Sequence, residues 1–429
     1  MRFGILSRRA AAAAGIYGSA ALGILATIVA ARELSKLDFA RFALVFAATA
    51  LLQQFLDLSV EEVVVKFGNR YAARTDWGRF RRLIVVGLRV KLVGGAAGCI
   101  AVVVVAMLAS WIWSINGLRT ALLVAALIPL IQAPEGMAGA VLLLRNRYDL
   151  RGGLVLWSML LRLIAITVGA SLGLVQTFVG IVIAQAISTV TASVAGLLVF
   201  RRYPQRGEIS LGEDAGEVRS FAVQSTLASG LASLRGLLPT LLLGAIARPV
   251  QVADFRVAQA PQTAFASLSS PARLVLLAEQ TRDVEHGRSD RAFRLLYRYI
   301  AVTSLLAAVA VPPIWIWAPD LVRVVYGTQY IGAVSATRLM LVTAAVQLVF
   351  GWSKSFPVSI GVPGLRTIGQ VVELVALVPL VAVLGTLYGA AGAAGGVLAS
   401  SAVLGAFWSI ALWRLGARRA AADLGGVAA

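Results

Sequence analysis

Apolar runs of about 20 residues recur from one end of this chain to the other, and they leave little room for anything else. At 1.5 Å rise per residue, such a run as a helix matches the ~30 Å hydrocarbon thickness of a bilayer. Twelve runs can be read, at approximately 10–31, 39–60, 83–110, 120–144, 152–174, 177–200, 221–247, 255–277, 299–318, 333–356, 367–388 and 391–413. Lipid offers no partner to backbone N–H and C=O groups, so a chain built this way folds as a set of helices, each satisfying its own backbone. Composition agrees: 59% of residues are hydrophobic and 14% charged, against ~25% charged in an average soluble domain. The first run is too long for a cleaved signal sequence and is followed by eleven like it, so it is expected to remain as a span. Connections such as Val175-Gln176 and Gly389-Ala390 leave room only for tight antiparallel pairs.

The 39 basic residues give the orientation. Lys and Arg near span ends are retained on the cytoplasmic side. With the N-terminus inside, only Arg32, Lys36, Arg41, Arg119, Arg248, Arg256 and Arg323 fall in outer loops. Both termini are then expected in the cytoplasm. Most of the +19 net charge is accounted for by topology and by attraction to anionic membrane lipids. A nucleic-acid partner is not expected, because there is no soluble basic domain or aromatic-basic platform to hold a strand. Cys99, the single cysteine, lies inside the third run, and His286, the single histidine, lies in a charged loop. These two residues build neither a zinc cluster nor a Ser-His-Asp or Cys-His set, so no metal, no cofactor and no enzymatic activity is expected.

The two halves echo one another. Asp38-Phe39-Ala40-Arg41-Phe42-Ala43 opens the second run and Asp254-Phe255-Arg256-Val257-Ala258 the eighth, while Leu150-Arg151 matches Leu365-Arg366 at a similar offset. Duplication of a six-span unit predicts two six-helix lobes related by a pseudo-twofold axis along the membrane normal, as in transporters with parallel repeats. The polar stretch 201–220 reads as the linker, which gives lobes at 1–208 and 209–429.

Polar residues inside the runs are the candidates for function. A cation at mid-membrane costs ~2.5–3.5 kcal/mol on insertion scales and usually faces a bundle interior or a wet cavity. Arg162 and Arg235 sit in such places, one in each expected lobe, and could face each other across a midplane cavity. Glu135, after Pro134, is the candidate partner of Arg162, and either the two form a structural ion pair or Arg162 is free for a ligand. Gln259, Gln262, Ser269 and Arg273 recur at helical spacing on the eighth run, a stripe that either lines a cavity or bonds neighbouring helices. Thr49, Gln53 and Asp57 form a second stripe, with Asp57 near the cytoplasmic end. Glu135, Asp57 and Glu373 are the acids within runs, against seven basic residues with edge positions included, an excess that favours an anionic substrate. Arginine suits phosphate or diphosphate, since its planar guanidinium donates paired hydrogen bonds and stays charged.

Arg32-Glu33-Leu34-Ser35-Lys36-Leu37-Asp38-Phe39-Ala40-Arg41-Phe42, followed by Leu56-Asp57-Leu58-Ser59, resembles the R-x-L-S-x-x-D-[FY]-G-x-[FY] and D-L-G landmarks of bacterial polysaccharide-export flippases. These are the Wzx-like members of the multidrug/oligosaccharidyl-lipid/polysaccharide exporter superfamily. Ala40 and Ser59 stand where that pattern has glycine. Tyr326-Gly327-Thr328-Gln329-Tyr330 and the glycine-alanine run from Tyr388 to Ala394 are similar landmarks. The resemblance covers essentially the whole chain. It implies movement of an undecaprenyl-diphosphate-linked oligosaccharide from the cytoplasmic to the periplasmic leaflet of an inner membrane by alternating access, for O-antigen or exopolysaccharide synthesis. A polysaccharide polymerase and a chain-length regulator would be partners. Two other readings stay open: a small-molecule or multidrug exporter of the same architecture, and a membrane glycosyltransferase or polymerase.

Overall fold

The computed structural model describes residues 2–57, 59–113, 115–204, 210–286, 288–360 and 362–425. Among them there is no strand. The helices are α1 (Arg2–Glu33), α2 (Lys36–Leu56), α3 (Val60–Ala73), α4 (Trp77–Trp113), α5 (Leu118–Ala125), α6 (Leu127–Leu144), α7 (Tyr148–Ala170), α8 (Leu174–Phe200), α9 (Ala215–Ile246), α10 (Pro249–Ala258), α11 (Ala260–Glu285), α12 (Ser289–Ile316), α13 (Ala318–Tyr326), α14 (Val334–Val349), α15 (Phe356–Ser359) and α16 (Pro363–Gly425). Ten helical stretches among the described residues are long and apolar enough to cross a membrane. One of them, Gly364–Arg414, holds both of the last two expected spans. The eighth expected span is the helix pair α10–α11, whose polar stripe keeps it outside that group. The all-α, roughly twelve-span architecture read from the sequence is the one observed.

The chain forms two compact units, Met1–Ala245 and Ile246–Ala429. In the first, α1 packs on α7, and α8 on α6 and α7. A cluster of buried aromatic side chains sits where α3 and α4 meet: Phe67, Tyr71 and Phe80 pack together with Met137, Val141 and Tyr203. In the second unit α14 packs on α11, α12 and α16, and Trp352, Phe356 and Trp408 form the core with Leu296 and Leu404. Exposed apolar side chains such as Val93, Ile100, Val104 and Trp111 on α4, and Leu305 and Val309 on α12, are the surface that hydrocarbon covers.

Each interruption of a helix has a local cause. The α2 start is a side-chain cap: Ser35 Oγ accepts the Asp38 backbone N–H at 3.1 Å, and Asp38 holds Arg41 at 2.7 Å. The Ser-x-x-Asp of the family-like motif is therefore a helix N-terminus. Pro129 has no N–H for the Ala125 carbonyl, and α5 ends at Ala125. Pro261 likewise has none for Val257, and α10 gives way to α11 at Gln259. Within α16 the chain turns at Gly389 (φ 59°, ψ −131°), where the Ala390 N–H finds Gln251 Oε1 at 2.8 Å. The turn between the fifth and sixth spans lies a few residues before the expected Val175-Gln176, because Gly173 (φ 125°) supplies the conformation the reversal needs.

Between α2 and α3 the chain passes through Ser59, which has left-handed backbone angles (φ 41°, ψ 32°). A side chain in that region costs ~1–2 kcal/mol, which is the physical reason for a glycine in the D-L-G pattern. Ser59 is held by a hydroxyl–hydroxyl bond of 2.8 Å to Ser229 on α9. The stretch after residue 60, beyond the expected end of the second run, is helix α3, which extends the second span to Ala73.

Two stability predictions follow from these turns. Ser59→Gly and Ser59→Ala both lose the Ser229 bond, but only the alanine keeps the backbone strain. The glycine variant should therefore unfold at the higher temperature, by an amount corresponding to ~1 kcal/mol, and equal melting temperatures would exclude strain at this turn. Gly389→Ala should lower the melting temperature by the equivalent of ~1–3 kcal/mol, since an added Cβ would lie 2.5 Å from Gln251 Oε1 in a conformation reserved for glycine.

Candidate functional site

A cavity of about 260 Å³ opens within the first unit, lined by Gln53, Gln54, Asp57, Glu61, Lys91 and Gln132 among others. Helix ends bring these groups together. Asp57 closes α2 and Glu61 lies in the first turn of α3, so the strained Ser59 turn sets the two carboxylates at one place. Lys91, on α4, is 3% exposed. Its ammonium donates to Asp57 and lies 3.5 Å from Glu61 Oε1. Glu61 Oε2 accepts in turn from Arg151 Nη2, at the start of α7, at 3.3 Å. Each carboxylate thus has a cation, and the four charges balance. Glycine makes the space: a methyl group on Gly136 would overlap the Glu61 carboxylate, and one on Gly94 would overlap the Leu56 carbonyl oxygen.

On the residue of α6 preceding Gly136, Glu135 points into a second cluster. Gln185 Nε2 donates to Glu135 Oε2 at 2.5 Å, Ser188 Oγ to Glu135 Oε1 at 3.1 Å, and Thr189 Oγ1 to Oε2 at 3.4 Å. Arg162 Nη2 donates to Gln185 Oε1 at 3.3 Å, with its guanidinium 5.8 Å from the Phe46 ring. Arg162 and Glu135 are thus linked through the Gln185 amide rather than by a direct ion pair: the amide takes the base on its oxygen and gives its nitrogen to the acid. Gln185 is 3% exposed and Ser188 1%. For a half-buried carboxylate, these donors offset the hydration lost on packing between helices.

The other predicted residues are placed as follows. Gln53 and Asp57 line the cavity. Arg235 is half-buried on α9, and α9 up to Ala245 belongs to the same compact unit as Arg162. Antiparallel contacts along α2–α4 hold that helix there: Arg70 with Glu217 at 2.6 Å, Glu62 with Ser225, Ser59 with Ser229, and Trp113 Nε1 with the Leu241 carbonyl at 3.2 Å. In the second unit Gln259 accepts from Arg256 at 3.0 Å. Gln262 donates to Gln347 at 3.0 Å, and Gln347 to Ser401 at 3.1 Å. Of the eighth-span stripe, Gln259 is thus bonded to the neighbouring Arg256, and Gln262 to α14 and through it to α16. The side chain of Arg273 lies outside the described residues. Among the described residues no group of His, Cys, Asp and Glu is arranged to hold a metal.

Glu61, Lys91, Arg151, Gln132 and Gln185 are site residues that the sequence reading did not select. Lys91 carried a signal, as a lysine within an apolar run. Glu61 and Arg151 carried none, because each sits at a helix start that reads as a charged connector.

The fold is that of the MOP-superfamily transporters. A solved inward-facing multidrug resistance MATE family transporter of that superfamily superposes with a TM-score of 0.77 at 14% identity, over 93% of this chain and 95% of that one. The lipid II flippase MurJ in an inward closed conformation gives 0.70 at 10%, over 93% and 86%. A MOP-superfamily transporter from Pyrococcus furiosus, described as having a binding pocket of reverse polarity, gives 0.68 at 15%, over 96% of each chain. No curated protein sequence matches the chain. The model of the family described as polysaccharide biosynthesis protein matches residues 10–277, and the chain belongs to that family.

The buried lysine provides the test of the ion network. Lys91→Met leaves Asp57 and Glu61 facing each other without the ammonium between them and should destabilise the protein by ~3–5 kcal/mol. Adding Asp57→Asn should recover part of that loss in detergent-solubilised melting curves. A double variant no more stable than the single one would show that the two charges are not coupled.

Proposed function

We propose that this protein flips an undecaprenyl-diphosphate-linked oligosaccharide from the cytoplasmic to the periplasmic leaflet of a bacterial inner membrane by alternating access, serving cell-surface polysaccharide synthesis. The observation that carries the reading is a charge-balanced, amide-lined cavity inside an apolar helical body whose family is polysaccharide biosynthesis. A glycan headgroup needs a hydrated, hydrogen-bonding path through the bilayer, while its polyprenyl tail can remain in lipid. Arg162, Arg235 and Arg273 are the proposed contacts for the diphosphate, and both termini are proposed to be cytoplasmic. The polysaccharide polymerase and chain-length regulator implied by the resemblance remain proposed partners. Lobes divided at residue 208 are likewise a proposal.

The second reading is export of small amphipathic molecules, favoured by the similarity in fold to the MATE transporter. Reconstitution separates the two. In liposomes the purified protein should move a fluorescent polyprenyl-diphosphate oligosaccharide between leaflets, and Arg235→Ala should slow that movement at least about tenfold, the loss of a charge-assisted contact, with its melting temperature retained. Efflux of lipophilic cations without any movement of the lipid-linked sugar would establish the exporter reading instead.

A further inference from the structure

The amides of this bundle fall into two groups. Gln185, Gln262 and Gln347 each bond to side chains of neighbouring helices. Gln53, Gln54 and Gln132 all line the cavity, and the side-chain hydrogen bonds of the described residues include none from these three. An amide in a membrane interior with donor and acceptor uncommitted is one that water or a ligand completes.

The charges restrict which ligand. Lys91 is buried between Asp57 and Glu61, and Arg151 takes the other oxygen of Glu61. The cavity therefore carries no net charge to attract a phosphate, and its carboxylates are not available to a metal ion. Asp57 and Glu61 still have about a third of their side-chain surface exposed, enough to accept hydrogen bonds. Three amides, two carboxylate edges and glycine-lined walls form a surface of alternating donors and acceptors suited to hydroxyl groups. The volume of about 260 Å³ lies just below the ~300–1,000 Å³ of pockets for drug-sized ligands. One sugar ring fits this description, and a whole lipid-linked headgroup does not.

We propose that this cavity is a subsite for one uncharged sugar residue of the transported glycan, read by Gln53, Gln54 and Gln132, while the Asp57–Lys91–Glu61–Arg151 network holds the walls. The assignment rests on the flippase reading and deepens it. It separates sugar recognition, in the α2–α4–α6 cavity, from any diphosphate contact made by arginines elsewhere.

The test is binding to the full chain in nanodiscs, followed by saturation-transfer NMR with methyl N-acetylglucosaminide, glucosamine, glucuronate and inorganic pyrophosphate. The neutral sugar should bind at least about tenfold more tightly than the other three. Gln54→Met and Gln132→Met, close in shape but without the amide, should each weaken it by about tenfold, as expected when a site built to hydrogen-bond a hydroxyl loses its partner. Their melting temperatures show whether each variant is folded, and Gln53→Met gives an independent third position. Preference for glucosamine, glucuronate or pyrophosphate, or unchanged binding in all three variants, would overturn the assignment. Leaflet exchange of the lipid-linked oligosaccharide distinguishes the two levels. If the wild-type protein flips but binds no neutral sugar, the subsite fails and the flippase stands. If it binds with amide dependence but flips nothing, a neutral-sugar site stands, but the flippase reading fails and with it the transported glycan as the ligand.

Discussion

A backbone or side-chain polar group taken into hydrocarbon without a partner costs several kcal/mol, and the architecture of this protein is a set of answers to that cost. Between helix ends the answer is the helix itself. At interruptions it is a specific side chain: Ser35 for the α2 start, Gln251 for the turn at Gly389, and Ser229 for the hydroxyl of the strained Ser59 turn. Proline and glycine set where the chain breaks, and short polar side chains make those breaks tolerable inside a membrane.

The same cost governs the charges. Lys91, almost wholly buried, is matched by two carboxylates, one of them also bound by Arg151. Glu135 is surrounded by one amide and two hydroxyls, with Arg162 beyond the amide. Buried ion pairs contribute little net stability, because desolvation offsets most of the attraction, but removing one member leaves an uncompensated charge. Such networks therefore fix geometry more than they add stability. Here they fix the end of α2, the start of α3 and the start of α7 around one cavity, with glycines on α4 and α6 leaving the room.

This arrangement changes how an excess of intramembrane cations should be read. Counted along the sequence, basic residues outnumber acids inside the apolar runs, which points to a positively lined path. In space, Lys91 is consumed by acids, one of which, Glu61, comes from a segment that reads as a connector. Within the cavity, the hydrogen-bonding capacity left without a side-chain partner belongs to the amides of Gln53, Gln54 and Gln132. Under the proposed function, such a cavity would keep recognition of the sugar apart from contacts to the diphosphate.

The sequence by itself determined the fold class, because the requirement for internal backbone pairing leaves a chain of twelve apolar runs only the helical answer. Pro129, Pro261 and Gly389 act within a turn of themselves and mark breaks, whereas Pro134, Pro239 and Pro379 lie inside continuous helices. Asp57, Glu135 and Arg162 were legible for a similar local reason: each is a polar residue inside an otherwise apolar run. Tertiary structure decided the rest. Whether Gln262 faces a cavity or a neighbouring amide depends on Gln347, 85 residues away. Whether Arg162 meets Glu135 directly depends on Gln185 lying between them. That Glu61 and Arg151 serve a buried lysine depends on three helix ends converging. Local propensity and hydropathy act over one turn or one span, whereas the compensation of a buried charge is settled by whichever helices pack around it.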